Sequence, residues 1–237
     1  MTRMDSKLSR SVLTVALALA AAVLPWPTAA TAEIIDLLPL ETFEGTFPPA
    51  GWAVTNGAPG YVVWHRSDVS PNYGAPQDPP ITGLHAYAES YPAYCGYAYD
   101  TELITPPFST ENIDAGPITV SFDYQYWVYS SEALTVDYRI GAGPWVPLES
   151  LVSYGGYTAV SHQIDITGTI GYPDVQLRWR YYNTGSGCDW WTNLDNIRVQ
   201  AYVPSLTQEI PTLSTWGLAL LALVLAGFGV MVLRRHV

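Results

Sequence analysis

Alternation of apolar and polar residues at every second position constrains the fold of this 237-residue chain more than any other feature. Successive side chains of a β-strand point to opposite faces, so such alternation predicts strands with one buried face. Five runs show it, and in each the following residues share one largely apolar face: Val120, Phe122, Tyr124, Tyr126 and Val128; Leu134, Val136, Tyr138 and Ile140; Val160, His162, Ile164 and Ile166; Val175, Leu177, Trp179 and Tyr181; and Ile197, Val199 and Ala201. The sequence therefore predicts an all-β fold, an antiparallel β-sandwich of the jelly-roll type with about eight to ten strands.

Two stretches of the body differ from these runs. Gly141-Ala142-Gly143-Pro144 has the composition of a turn, and it leads into Trp145. Residues 56–99 are rich in proline, glycine and tyrosine and alternate poorly, so we expect long surface loops there. Surface loops often carry binding residues.

The N-terminus has the three parts of a secretory signal peptide. A basic region within the first ten residues is followed by an apolar stretch from Val12 to Leu24 and by Ala30-Thr31-Ala32, an A-x-A cleavage site. That apolar stretch is shorter than the roughly 20 residues that span a bilayer as a helix. The predicted order along the chain is a signal peptide over 1–32, a jelly-roll domain over 33–203, a spacer over 204–209 and a tail over 210–237.

The tail has the composition of a second addressing segment. Ile210-Pro211-Thr212-Leu213 and Trp216-Gly217 precede an apolar run from Leu218 to Leu233, and Arg234-Arg235 follows that run. Residues from about 213 to 233 have the length of one membrane span. Because basic residues beside a span stay on the cytoplasmic side, we predict a transmembrane helix over about 213–233 with the body outside.

The charge of the body disfavours one class of function and suggests a ligand. Residues 33–209 hold twenty acidic residues against five arginines and no lysine, a formal charge of −15. A nucleic-acid-binding protein has to neutralise phosphates, so this function is disfavoured. The excess of carboxylates indicates either an acidic soluble surface or, for some of them, ligands of Ca²⁺, a cation that takes oxygen donors.

The chain has two cysteines, Cys95 and Cys188, both in the body that is expected to be exported. In an oxidising compartment two cysteines most simply form one disulfide, and two free thiols are the alternative. Without a Cys-x-x-Cys pair, a zinc site is disfavoured.

The order of short motifs in the body resembles the choice-of-anchor J domain, a jelly-roll module similar to cleaved-adhesin and MAM-type domains. The motifs are Phe43-Glu44-Gly45, Phe47-Pro48-Pro49-Ala50-Gly51-Trp52, the segment from Leu103 to Ser109, and the segment from Trp190 to Val199. The likeness covers most of residues 41–202. It implies a bacterial surface or secreted protein with a C-terminal anchor.

The tail resembles the IPTL-CTERM sorting signal through Ile210, Pro211, Thr212, Leu213, Trp216, Gly217, Arg234 and Arg235. That signal is similar to PEP-CTERM, whose tails are processed by exosortases, which are integral membrane transpeptidase-like enzymes. The resemblance implies an exosortase-like partner and a precursor that is held only transiently in the inner membrane. A plain membrane anchor is the alternative.

Glu44 and Asp195 are the predicted metal ligands. By strand parity Asp195 shares the inward face of Ile197 and Val199, where an unpaired charge is costly. Glu44 lies near the other end of the domain, and in jelly rolls of the family it resembles the first and last strands lie close and a structural Ca²⁺ often ties them. We therefore expect Glu44 and Asp195 to help bind Ca²⁺ with backbone carbonyls or further side chains. The alternative is that Asp195 caps a turn or pairs with an arginine.

Aromatic residues flank both cysteines, and Tyr94, Tyr97, Trp190 and Trp191 are the candidates for a ligand platform. If the disulfide forms, the two aromatic segments meet. They would then either stack on sugar rings or a partner surface, or form a small core that covers the disulfide.

No catalytic constellation is evident among the histidines, His65, His85, His162 and His236, and neither G-x-S-x-G nor H-E-x-x-H occurs. We therefore expect a non-catalytic, surface-sorted module for adhesion or extracellular matrix. A carbohydrate-binding, lectin-like module that uses residues 56–99 and Trp190 is the alternative, and a glycoside hydrolase on the same sandwich is the third candidate.

Overall fold

A computed structural model describes residues 32–57, 62–68, 79–90, 97–128, 132–153, 159–183, 190–204 and 215–234. The chain divides into two compact units, of which one is Ala32–Pro204 and the other combines Met1–Thr31 with Ser205–Val237. Apart from Ala32, which begins the first strand, the predicted signal peptide lies outside the described residues.

The body is built from strands. In chain order they are β1 (Ala32–Glu41), β2 (Ala53–Asn56), β3 (His65–Ser67), β4 (His85–Glu89), β5 (Tyr99–Ile104), β6 (Ile118–Trp127), β7 (Ala133–Ile140), β8 (Val146–Ser150), β9 (Val160–Asp165), β10 (Val175–Asn183) and β11 (Trp191–Pro204). A short 3-10 turn, Thr167–Thr169, follows β9.

The strands form two antiparallel sheets. Sheet A has the order β3-β4-β11-β6-β9, and β1 joins it as a further neighbour of β11. Sheet B has the order β2-β5-β10-β7-β8. The long strand β11 pairs with β6 on one side, and with β4 and then β1 on the other, so it is central to sheet A.

Aromatic side chains join the two sheets at the centre of the core. Trp179 of β10 is fully buried, stacks on Trp52 at 6.4 Å between ring centroids and meets Phe122 of β6 edge-on at 5.3 Å. Tyr126 of β6 meets Tyr181 of β10 in the same way at 6.1 Å. The prediction of two packed antiparallel sheets is confirmed, and the finer assignment to the jelly-roll class stays a prediction.

A bulge in β11 overturns the strand parity predicted for Asp195. The pairing of β11 with β6 shifts between Asp195 and Arg198, and Asn196 has a left-handed backbone with φ 52°. Leu194 and Ile197 therefore both belong to the core, although they are three residues apart. Asp195 is paired with Asp123, which lies between the inward Phe122 and Tyr124, so both carboxylates face the outer side of sheet A.

Part of residues 56–99 forms strands rather than the expected surface loops. Strand β4 pairs with β11 on one side and β3 on the other. His85, Ala86, Tyr87 and Ala88 are all buried, which hides the alternation of a half-buried strand. Aromatic residues on the outer face of sheet A cover this strand as the core covers its inner face.

The tail contains one helix, α1 (Thr215–Arg234). Among the residues that the structure describes, no helix has both the length and the apolar character needed to cross a membrane, so the transmembrane helix predicted over about 213–233 is not supported. Trp216, Gly217 and Arg234 lie in α1, whereas Ile210, Pro211, Thr212, Leu213 and Arg235 lie outside the described residues.

Candidate functional site

The structure brings the two predicted metal ligands to one short segment. Glu44 Oε1 accepts a hydrogen bond from the backbone N–H of Leu84 at 3.1 Å. Asp195 accepts one from the backbone N–H of Thr82 and one from Asn196 at 2.8 Å. Residues 82–84 therefore bridge an exposed carboxylate on the stretch after β1 and a buried carboxylate on β11.

Asp195 is an acid held where its charge is unfavourable. Only 2% of the residue is exposed, and burial raises the pKa of its carboxyl to about 7, with Asp123 and Glu44 adding to the rise by like-charge repulsion. Two backbone N–H donors lower the pKa against this trend. Within the described part of the chain, no arginine or histidine forms an ion pair with it.

These carboxylates meet some requirements of a calcium site. They supply oxygen ligands, and a cation would offset the repulsion between Asp195, Asp123 and Glu44. However, Asp123 already accepts hydrogen bonds from Ser161 Oγ and Asn196 Nδ2, both at 2.6 Å. Among the described residues, no group of three or more His, Cys, Asp or Glu side chains is arranged to hold a metal ion. Backbone carbonyls or water would have to complete the coordination.

Gly83 keeps room for the Glu44 carboxylate. Its backbone is left-handed with φ 74°, and a Cβ atom at this position would lie 2.5 Å from Glu44 Oε1. A larger residue would therefore be strained and would displace the carboxylate. The glycine is needed for the contact between Glu44 and Leu84.

An aromatic cluster lies on the outer face of sheet A, and we define it by Tyr87, Trp127, Trp190 and Trp191. The rings of Trp127 and Trp190 stack at 4.8 Å with 9° between their planes, and Trp191 meets Trp127 edge-on at 6.3 Å. Trp191 is fully buried and Trp190 half-buried, whereas Tyr97 is 55% exposed. The geometry brings Trp190 and Trp191 into one cluster and leaves Tyr97 accessible.

Tyr94, Cys95 and Cys188 lie outside the described residues, but the residues that flank them are paired. The backbone N–H of Ser90 donates to the carbonyl of Trp190 at 3.0 Å in sheet A. Tyr99 is the register partner of Asn183 in sheet B. The described residues that flank the two cysteine-bearing segments are therefore neighbours, Ser90 with Trp190 and Tyr99 with Asn183.

A pocket of about 330 Å³ lies beside the bulge of β11. Ser161, His162 and Asp123 all line it, which are the residue types of a nucleophile, a base and an acid. The Ser161 hydroxyl donates to Asp123, however, and His162 Nε2 contacts Glu149 Oε1 at 3.1 Å. The three side chains are therefore not linked in the order that activates a serine.

The outer face of sheet B carries a polar network that sequence reasoning did not predict as a site. Arg180 binds Asp100 with two bonds of 2.7 Å. Arg178 contacts Asp137 at 2.6 Å and also pairs with Glu102. Thr55 donates to Glu102 at 2.8 Å. This chain of contacts crosses β2, β5, β10 and β7, four of the five strands of sheet B.

Two aromatic residues lie over the arginines of this network. Trp145 follows the turn between β7 and β8. The guanidinium carbons of Arg139 and Arg178 each lie 4.6 Å from a ring centroid of Trp145. Arg180 lies 4.3 Å from the centroid of Tyr182. Arg139 also donates two hydrogen bonds to Gln176 Oε1, at 3.0 and 2.7 Å. We call Arg139, Trp145, Arg178, Arg180 and Tyr182 with the paired acids Asp100, Glu102 and Asp137 the sheet B surface.

One signal in the sequence pointed to this surface. Gln176, Arg178, Arg180 and Tyr182 occupy the polar side of the run that begins at Val175. Their acidic partners lie on strands that are distant in sequence. Asp137 is 41 residues from Arg178, and Asp100 is 80 residues from Arg180. Alternation places each residue on a face, but it does not give the strand order that brings them together.

Comparison with solved structures finds low similarity to several proteins. The K1 cleaved adhesin domain of Lys-gingipain from Porphyromonas gingivalis W83 is 17% identical with a TM-score of 0.45, covering 72% of this chain and 98% of that one. A family 11 carbohydrate-binding module from Clostridium thermocellum, in complex with a β-1,3-1,4-mixed-linked tetrasaccharide, is 13% identical with a TM-score of 0.39, covering 76% and 99%. A cyclase from Fischerella sp. TAU is 14% identical with a TM-score of 0.49, covering 74% and 100%. Such low identities and TM-scores assign no function.

Sequence comparison is informative only for the tail. No curated protein matches the chain. The resemblance of residues 41–202 to the choice-of-anchor J domain is not confirmed by these comparisons and stays a prediction. Residues 210–236 match the IPTL-CTERM motif, so the chain ends in a sorting motif of that kind.

Proposed function

We propose that the protein is an exported, non-catalytic β-sandwich that is sorted to the cell surface and acts in adhesion or extracellular matrix. The IPTL-CTERM match over residues 210–236, outside the compact unit Ala32–Pro204, carries the proposal. An exosortase-type enzyme would remove or replace the tail, so the mature protein would begin at Glu33 and end within the motif Ile210 to Leu213. The side chains of the pocket beside β11 support a non-catalytic role, because Ser161 and His162 bind different carboxylates.

Mass spectrometry of the protein from its native cells tests the sorting step. The mature chain is expected to begin at Glu33 and to end near Leu213. Replacing Ile210 to Leu213 with four alanines is expected to leave the tail attached. Alanines at Ser205, Leu206 and Thr207 in the spacer are the matched control and should leave processing unchanged. A native mature form that still ends at Val237 contradicts the proposal.

Calcium is proposed as a structural ligand of the body. Glu44 and Asp195 would hold it together with backbone carbonyls, and it would tie the stretch after β1 to β11 across residues 82–84. The support is the buried Asp195 carboxylate, which faces two other carboxylates and whose charge a divalent cation would compensate.

Carbohydrate binding is the second candidate function, and a specific observation favours it. The sheet B surface combines two half-buried aromatic rings with fixed hydrogen-bonding groups on one face of the sandwich. A surface-sorted protein with such a face would attach to glycan in the extracellular matrix. This location differs from the loops and Trp190 that the sequence suggested.

A further inference from the structure

We propose that the sheet B surface is a binding site for a neutral polysaccharide. Trp145 and Tyr182 would contact the sugar rings, and the paired arginines and carboxylates would bind the hydroxyl groups. The proposal rests on the second candidate function, carbohydrate binding, and is independent of how the tail is processed.

The arginines are concentrated on this one face. The body between residues 33 and 209 has five arginines and twenty acidic residues, yet Arg139, Arg178 and Arg180 all lie on the sheet B surface. Arg178 and Arg180 pair there with Asp100, Glu102 and Asp137. Together with Arg139, three arginines therefore stand against three acids, and this surface is electrically balanced within a strongly acidic body. An acidic body would repel an anionic polymer, and a balanced patch gives it no compensating attraction.

The ion pairs also disfavour an anionic ligand at short range. Side chains of Arg178 and Asp137 are only 13% and 6% exposed, and those of Arg180 and Asp100 are 32% and 23% exposed. An anion would have to separate guanidinium from carboxylate and leave a half-buried carboxylate without its partner, which is unfavourable. A neutral ligand leaves the pairs intact.

Hydroxyl groups suit the remaining hydrogen-bonding capacity. A guanidinium has five N–H donors and a carboxylate about four acceptor sites. Within the described contacts, Arg180 engages Asp100 through Nε and Nη2, which leaves further donors at the same group. A sugar hydroxyl can both accept from such a donor and donate to a carboxylate, so a polyol matches alternating acids and bases better than an apolar or singly charged partner does.

The aromatic residues are held in place before any ligand arrives. Trp145 lies against two guanidinium groups, each 4.6 Å away, and Tyr182 lies against a third at 4.3 Å. These guanidiniums are themselves fixed by hydrogen bonds to Gln176, Asp137 and Asp100. Fixed rings lose little conformational entropy on binding, and the face of each ring that is turned away from the guanidinium groups would stack on the flat face of a sugar.

Affinity electrophoresis of the full-length protein in mild detergent tests the site. Gels would contain a neutral polymer, such as mixed-linkage β-glucan, galactomannan or xylan, or the anionic polymer alginate. We expect at least one neutral polymer to retard the protein. Trp145→Ala and Tyr182→Ala should each weaken this retardation about tenfold, because each removes one aromatic contact. Raising the NaCl concentration from about 0.05 to about 0.5 M should change the retardation less than about twofold, because the ligand is uncharged.

Trp190→Ala is the matched control, since it removes an aromatic ring from the outer face of the other sheet. It should leave the retardation unchanged, and near-UV circular dichroism should show that all three variants are folded. Loss of binding in Trp190→Ala but not in Trp145→Ala or Tyr182→Ala would overturn the proposed site while leaving carbohydrate binding intact. Retardation by alginate alone, or by no polymer, would overturn the proposal, and the latter result would also remove the second candidate function.

Discussion

At the scale of single residues, Asp195 is the side chain whose environment departs most from what its type prefers. A buried carboxylate with two carboxylate neighbours and a pKa raised to about 7 is unfavourable in its ionised form. The sequence indicated that this residue was unusual, because an acid stood beside a core strand. The strand parity predicted the wrong face of β11 for Asp195. The left-handed backbone of Asn196 and the bulge reverse the alternation for the residues of β11 that precede Ile197.

The raised pKa of Asp195 predicts a pH dependence of stability. Between about pH 4 and 7 the folded protein, without metal, keeps a proton on Asp195 that the unfolded chain has released. In EDTA the contribution of Asp195 to the free energy of unfolding should therefore decrease as pH rises from about 4 to about 7 and stay constant above that. Denaturant unfolding of the wild-type protein and of Asp195→Asn across this pH range measures the contribution of Asp195. It is the difference between the two curves of unfolding free energy against pH.

His85 contributes to the pH dependence of stability with a sign opposite to that of Asp195. The contribution of Asp195 is therefore measured by comparing wild type with Asp195→Asn. Burial lowers the pKa of His85, and its contribution to stability is therefore lost as pH falls below about 6.5, where the unfolded chain takes up the proton. It acts equally in wild type and Asp195→Asn and cancels in the difference. Parallel curves for the two proteins would contradict the assigned environment of Asp195.

Adding Ca²⁺ should remove the difference in slope between the stability curves of wild type and Asp195→Asn, and it should raise the melting temperature of the wild type. Glu33→Gln is a carboxylate control that should behave like the wild type. An unchanged melting temperature would exclude the calcium proposal.

At the scale of elements, strands β6 and β10 could be predicted from sequence and β4 could not. The inward residues of β10, Val175, Leu177, Trp179 and Tyr181, are each fully buried, as their alternation predicted. Strand β4 has four consecutive buried residues because the core covers one face and the aromatic cluster the other. Alternation of apolar and polar residues detects a strand with one solvent-exposed face. It therefore misses a strand that is buried on both faces.

Pairing of strand ends predicts that Cys95 and Cys188 form a disulfide. Ser90 is bonded to Trp190, and Tyr99 is paired with Asn183, so both flanks of the two cysteine-bearing segments are adjacent. The bond would close a loop of about 93 residues and stabilise the domain by about 4–5 kcal/mol on the chain-entropy model. Reduction should lower the free energy of unfolding by that order, and Cys95→Ser with Cys188→Ser should match the reduced protein. Alkylation of both thiols in the native, unreduced protein would contradict the pairing.

The sheet B surface shows the limit of sequence reasoning at this scale. Turn composition located Trp145 just after Gly141 to Pro144, and parity located Arg178 and Arg180 on the polar face of β10. Neither gave the order β2-β5-β10-β7-β8, in which these residues meet Glu102, Asp100 and Asp137. Strand order depends on contacts between distant residues, and a single sequence does not record which strands become neighbours.

At the scale of the whole molecule, the body is expected to fold without either end of the chain. Residues 32–204 form one compact unit with a core that joins both sheets through Trp52, Phe122 and Trp179. A protein of only these residues should therefore melt in one cooperative transition with the far-UV and near-UV circular dichroism of a packed β-domain. A broad transition without a near-UV signal would contradict this.

Trp179→Ala in the same shortened chain is the control for a packed core. It should cost about 3–5 kcal/mol of stability, because removing a fully buried tryptophan leaves a cavity between the sheets. A much smaller loss would mean that the contacts of Trp179 with Trp52 and Phe122 do not hold the sheets together.

The position of β11 has a mechanical consequence. The chain leaves the sandwich at Pro204, at the end of a strand that pairs with β1 on one side and β6 on the other. Hydrogen bonds between antiparallel strands run perpendicular to the strand axis. If the protein is tethered through its C-terminal end, a pulling force enters along β11 and loads both rows of hydrogen bonds in shear at once, instead of opening them one after another. A module held in this way would resist traction along its tether.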